Sequence, residues 1–222
     1  MNMKFLALAG LLGTFALNPL SASAASFEVT ITNITRGQQF TPIIVVSHRP
    51  GLKLFELGDP ASAELATLAE EGNTQPLADA LRYHPRVLDI ANSTGLLDPG
   101  DSVTVRVRTR GDFDHVSLAS MLIPTNDAFF ALNGVAGPHG HGVRTLTSVA
   151  YDAGSEANDE LCASIPGPFF AECGGPGGGA APAGGEEGYV HVHAGIHGIG
   201  NLSAPLRDWR NPVARITIRR VP

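Results

Sequence analysis

Two acidic turns carry the residues of this 222-residue chain that are best suited to chemistry. The first, Asn126–Asp127, follows the apolar run HVSLASMLIP. The second, DAGSEANDE over residues 152–160, follows the apolar run Leu146 to Tyr151. Carboxylate and amide oxygens on loops at the ends of strands suit a hard cation, and Ca²⁺ in particular takes about six to eight oxygen ligands from flexible loops. Either turn alone is equally explained by turn chemistry, since Asp, Asn and Gly serve the backbone at such places. The two together need a further argument, given below.

A second constellation is the histidine run YVHVHAGIH over residues 189–197. On a strand, His191 and His193 share one face while Val190 and Val192 face the core. His197 follows a glycine that lets it fold back, and His48 reaches the same end if its strand is a neighbour. Imidazole suits Cu or Zn better than Ca²⁺, so His48, His191, His193 and His197 are an alternative copper or zinc set. The competing reading is a solvated strand face beside Glu186 and Glu187. His139 and His141 form another pair in a glycine-rich loop. A hydrolytic zinc would also need an open coordination position and a base, for which Glu186 is the nearest residue. No G-x-S-x-G, HExxH, Rossmann or P-loop pattern occurs, so no enzyme is expected.

The elements that must position these residues are mostly strands. Phe27–Thr32, Ser102–Thr109 and Ala214–Arg219 alternate apolar and polar residues with period two, which marks half-buried strands. Phe40–His48, Val116–Ile123, Leu146–Tyr151 and Tyr189–His193 are further strands, some apolar on both faces and therefore central. Ala61–Glu71 and Thr74–Arg82 read as short helices, a helical insertion over residues 55–83 covering one edge. The fold class this predicts is all-β, an antiparallel β-sandwich with a short helical insertion.

Residues 1–24 read as an export signal: a positive start, an apolar run from Phe5 to Leu17, then the small residues Ala22–Ala24. Residues 25–222 then form a single domain of an exported protein, periplasmic, secreted or at the cell surface. No later stretch approaches the ~20 apolar residues of a membrane span. The net charge of −6 and the lack of a basic stripe argue against a nucleic-acid partner. In an exported chain, Cys162 and Cys173 close a short loop most simply as a disulfide. The following GGPGGGAAPAGG reads as a flexible loop, which makes residues 162–188 one surface excursion.

With these residues in view, the chain resembles the spondin N-terminal domain family in a secreted form. SMLIPTNDAFF (120–130) is similar to the family's strand, proline, aspartate and aromatic. YDAGSE (151–156) is similar to its Tyr-Asp-Ala-Gly motif, RNPVARITI (210–218) to its closing strand, and FEVTITNITRGQQF (27–40) to its opening strand. The resemblance implies a C2-like β-sandwich with calcium held by loops at one end. It implies Asp127 and Asp152 as ligands, with Glu156 and Asp159 as additions. It further implies a binding or adhesive role towards an extracellular or cell-surface protein or glycan. That role is analogy, since a fold does not by itself fix a function.

Overall fold

The computed structural model describes residues 25–222; the expected export signal at 1–24 lies outside the described residues. The chain runs β1 (Ala25–Asn33), β2 (Gln39–Phe40), β3 (Ile44–His48), α1 (Ala63–Glu71), α2 (Gln75–Arg82), β4 (Val87–Asn92), β5 (Ser102–Thr109), β6 (His115–Ile123) and β7 (Ala128–Ala136). It continues through β8 (Val143–Ser148), β9 (Ala150–Asp152), β10 (Phe169–Phe170), β11 (Gly175–Pro176), β12 (His191–Val192), α3 (Ala204–Arg207) and β13 (Ala214–Val221). One antiparallel sheet has the order β5-β1-β13-β8. A larger one has the order β12-β9-β7-β6-β3-β4, with β2 beside β6. The β-sandwich expected from the sequence is the fold observed.

Period two explains the smaller sheet. Phe27, Val29 and Ile31 of β1 are fully buried, and Val29 lies between Val105 and Ile218 in register. They pack against Phe40, Val45, Leu118 and Phe130 of the facing sheet. On the opposite, wet face Glu28 binds Arg106 at 2.6 Å and also Arg219 across the strands.

The larger sheet is apolar on both faces because it is the middle layer of three. Leu65, Leu68 and Ala69 of α1, with Leu77 and Leu81 of α2, pack on Ile44, Val46, Ala119 and Phe129 of its outer face. The helical insertion therefore covers a face of the sandwich and not the edge expected for it. Capping fixes the ends of α1. The Ser62 hydroxyl accepts the Leu65 amide at 3.2 Å, and Gly72 closes the helix in the left-handed region at φ 66°.

Two apolar runs that read as single strands are each divided. Phe40–His48 splits into β2 and β3 around Pro42. Leu146–Tyr151 splits into β8 and β9, which belong to different sheets. At this crossing the Ser148 hydroxyl donates to the Ala131 carbonyl at 2.8 Å and accepts the Ala131 amide at 3.1 Å. A side chain thus satisfies backbone groups that would otherwise lose their partners at the crossing.

The glycine-rich stretch is a strap laid on the disulfide loop. Cys162 and Cys173 are bonded as expected. The amides of Gly177, Gly178 and Gly179 donate to the carbonyls of Gly167, Cys162 and Ala163. A Cβ on Gly178 would stand 2.0 Å from the Ala163 oxygen, and one on Gly177 equally close to the Ile165 oxygen. Glycine is there for close approach, and the reading of a flexible loop is corrected over these residues. Gly178→Ala should accordingly lower stability by about 1–3 kcal/mol, the usual range for overpacking. Gly179→Ala, with nothing within 4 Å of its Cβ, should not. Urea denaturation of the two variants, side by side, checks this.

Candidate metal centre

The larger sheet delivers both acidic turns to one end. In register, Ala128 of β7 faces Asp152 of β9, and Asp152 in turn faces His191 of β12. Asp127 precedes Ala128 in the tight turn after Pro124, where the Thr125 hydroxyl accepts the Ala128 amide at 3.2 Å. Adjacent strand ends thus place Asp127 and Asp152 as neighbours although 25 positions separate them in sequence.

The loop after β9 is wound around these carboxylates by backbone hydrogen bonds. Asp127 Oδ2 accepts the amides of Ser155 at 2.8 Å and Glu156 at 3.1 Å. Asp152 Oδ1 accepts the Gly154 amide at 2.8 Å, and Oδ2 accepts the Asn158 side-chain amide at 2.7 Å. Gly154 has φ 64°, and a Cβ there would lie 2.4 Å from the Tyr189 oxygen. Asp152 and Gly154 therefore each have a backbone reason for their type.

One atom is left over. Asp127 is fully buried, yet its Oδ1 has no hydrogen-bond partner. Burial, and then the neighbouring Asp152, push its carboxyl up to about 7. Burial also raises Asp152 above the usual carboxylate range. Beside Asp152, Glu187 and His191 complete a set of ligand atoms all within 4.8 Å of one another. His191 Nδ1 stands 3.9 Å from Asp152 Oδ1. This set is mainly oxygen, buried at Asp152 and open at Glu187; Asp127 lies outside it but near enough to Asp152 for the two carboxyls to interact.

The remaining expected ligands lie elsewhere. Asp159 accepts from Asn126 at 3.0 Å, the Leu161 amide at 2.9 Å and the Ser164 hydroxyl at 2.6 Å. Burial opposes its ionisation, but these hydrogen bonds outweigh burial and hold its carboxyl below the usual range. Both its oxygens are occupied, so Asp159 fastens the loop. Glu156 gives its amide to Asp127, while its carboxylate accepts the Ala181 amide at 3.1 Å. Glu160, buried, accepts the amides of His197, Gly198 and Ile199 and anchors the segment after the histidines.

The four histidines do not form one set. His48 pairs with His115 at the far end of the sheet, seven residues of strand away from the Ala128–Asp152 pair. At ~3.3 Å per residue this is roughly 20 Å. Its ring is also fully engaged: Nδ1–H donates to the Arg49 carbonyl at 2.7 Å, and Nε2 accepts the Ser117 hydroxyl at 2.9 Å. His193 does not share a face with His191; it turns inward, buried against Trp209 at 5.0 Å. Val192, expected in the core, is 49% exposed. His193 Nδ1 accepts the Gly195 amide at 2.9 Å, so Nε2 carries the proton in the neutral ring. It points towards Asp152 Oδ2 at 3.7 Å. Neither nitrogen of His193 then offers a lone pair to a metal. His197 is exposed, leaving His191 as the histidine at the centre.

Glu187 and Asn158 were not legible as site residues. Glu187 reads as part of a solvated acidic pair, and only the pairing of β12 with β9 brings it to Asp152.

The raised carboxyl of Asp127 has a pH signature. Its value in the folded chain, about 7, exceeds the ordinary 3.8, so between these pH values the folded state binds more protons than the unfolded one. Stability from this group is therefore full below pH ~4 and declines as pH rises through 7, with a limiting slope of about 1.4 kcal/mol per pH unit. His48 and His193, both held neutral chiefly by burial, oppose this trend below pH ~6.5, so a difference measurement is needed. Asp127→Asn should match metal-free wild type at about pH 3.5, below the ordinary carboxyl value, and exceed it increasingly in stability towards pH 8. Denaturation at the two pH values in chelator checks this.

A family model, Spondin_N, matches residues 28–138, half of the chain and including Asp127. The match ends before Asp152, so the YDAGSE and RNPVARITI stretches rest on their own likeness to the family. No curated protein matches the chain. The opening strand, the β6–β7 turn with its buried aspartate and the sandwich between them lie within the matched span: the chain belongs to the Spondin_N family.

Proposed function

We propose that this chain is an exported, non-enzymatic binding module in which calcium, held between Asp127 and Asp152, locks the loops at one end of the sandwich. The observation that carries this reading is the buried Asp127 Oδ1, which has no partner, beside a second buried carboxylate. Leaving such an acceptor without a donor costs about 1–3 kcal/mol or more, and a cation removes that cost along with the repulsion between the two carboxylates. The donor chemistry agrees, because Ca²⁺ favours carboxylate and carbonyl oxygens from loops and fills its remaining positions with water. Glu187 supplies a further oxygen from the open side, and His191 borders it.

The chemistry of the chain's own residues follows from this. The Ser155 and Glu156 amides hold Asp127 Oδ2, which leaves Oδ1 as its donor to the ion. Asn158 and Gly154 fix the Asp152 carboxylate in the same way. The bound ion supplies positive charge that joins three segments: the β6–β7 turn, the loop after β9, and β12. The loops beyond it then present a fixed surface to a partner. A cell-surface or extracellular protein or glycan is the partner class that the family suggests. The disulfide and the family fit an exported protein, and no helix among the described residues is long and apolar enough to cross a membrane.

Calcium at a hundred times its dissociation constant should add about 2.7 kcal/mol to the stability of chelator-treated protein if it binds only the folded state. Asp152→Asn should remove most of that gain. Asp159→Asn should lower stability with and without calcium alike, because its carboxylate only holds the loop. Calorimetric melting of the three proteins with and without millimolar calcium reads this out. An unchanged melting temperature in wild type overturns the site.

A further inference from the structure

A second group of carboxylates lies outside this centre. Helix α1 ends on Glu70 and Glu71, with no basic residue in its last turn. Helix carbonyls near that end form the negative pole, where acidic side chains are unfavourable and cations favourable. Glu156 reaches the same place from the loop after β9. It is only 6% exposed, and while its Oε1 accepts the Ala181 amide at 3.1 Å, its Oε2 is buried with no partner. Glu70, Glu71 and Glu156 line one cleft of about 280 Å³, together with Pro166 and the strap residues Gly178 and Gly179. None of the ion pairs among the described residues uses any of the three. Three acidic side chains at one cleft, one of them buried with an oxygen unmatched and none paired with a base, suit a cation from solvent.

We propose that this cleft is a second cation site, in which Glu156, Glu70 and Glu71 hold a hydrated hard divalent ion, Ca²⁺ or Mg²⁺. Hydration follows from the geometry. Among the described residues, the group whose ligand atoms lie within 4.8 Å of one another is Asp152, Glu187 and His191, so the glutamates of the cleft stand wider apart. An ion there keeps part of its water shell, as Mg²⁺ in particular does at sites with few carboxylates. At ~30 Å³ per water, the cleft has room for the ion and several waters. The site joins the helical layer to the glycine strap, two segments that share few other polar links. It is distinct from the Asp127–Asp152 centre because Glu156 divides between the two: its amide faces Asp127 and its carboxylate faces the cleft.

Calorimetric titration of the chelator-treated chain with Ca²⁺ and with Mg²⁺ tests this. Glu70 is partly buried and Glu71 exposed, so Glu70→Gln/Glu71→Gln should fold as wild type does. Wild type should show two binding events. The double variant should lose one of them, or weaken it at least tenfold, and keep the one that Asp152→Asn removes. Glu156→Gln should weaken the same event as the double variant. If only one event is seen, lost in the glutamate variants and kept in Asp152→Asn, the cleft stands and the Asp127–Asp152 reading falls. Binding by the double variant identical to wild type in number and affinity overturns the proposal.

Discussion

Asp127 is the constraint on which this end of the molecule depends. Its carboxylate is buried among the loops at one end of the larger sheet, and one oxygen takes two backbone amides from a segment almost thirty residues further along. Those bonds set the path of the loop after β9, and Asn126 sets it again by bonding both Asp159 and the Glu160 amide. Glu160 then passes the constraint on, gathering three consecutive amides at 197–199. A chain of side-chain-to-amide bonds, most of them to carboxylates, thus runs from the β6–β7 turn to the loop before α3. Such bonds to ionised acceptors are roughly twice as strong as neutral ones. The loops are ordered by anions, which concentrates negative charge where they meet.

That concentration is the electrostatic tension of the structure. Apolar layers on both faces of the larger sheet shield its edge from water, and so the desolvation that raises Asp127 and Asp152 comes from the same packing that stabilises the fold. Elsewhere on the chain, carboxylates are matched by arginine: Glu28 by Arg106 and Arg219, and Glu172 by the bidentate Arg207. At the loop end the amides and Asn126 and Asn158 do that work, and they neutralise no charge. What sets Asp127 and Glu156 apart from structural acids such as Asp159, whose two oxygens both accept hydrogen bonds, is a buried oxygen left without a partner.

The strap connects this tension to the rest of the chain. Gly177 and Gly178 lie so close to the disulfide loop that the Ala181 amide is carried to Glu156. The disulfide loop, through Pro166, the glycine strap beside it and the helical insertion therefore border one acidic cleft. Glu156 is the residue common to both acidic centres, and its two roles use different atoms.

The sequence by itself determined the strands whose faces differ. β1, β5 and β13 alternate because one side of each meets the core and the other meets water, and that period survives in any packing. It determined the end of α1 before Gly72, although the helix starts at Ala63, after the Ser62 cap, and not at Ala61, and it determined the pairing of Cys162 with Cys173 through their short separation. It placed Asp127 in a turn after an apolar run, whereas Asp152, read as part of a loop, is the last residue of β9. What it could not hold was register and layer. The run 146–151 (LTSVAY) reads as one strand, yet its two ends lie in different sheets as β8 and β9, and composition does not distinguish one sheet from two. The histidines illustrate the same limit. His48 and His191 lie on the same sheet, but antiparallel pairing through β6 and β7 sends them to opposite ends. His193 faces Trp209 because β12 is only two residues long and the chain turns inward directly after it. Glu187 becomes a neighbour of Asp152 by the same pairing that seats His191. Local periodicity records what each residue needs from its surroundings, whereas strand order and register decide which distant residue supplies it.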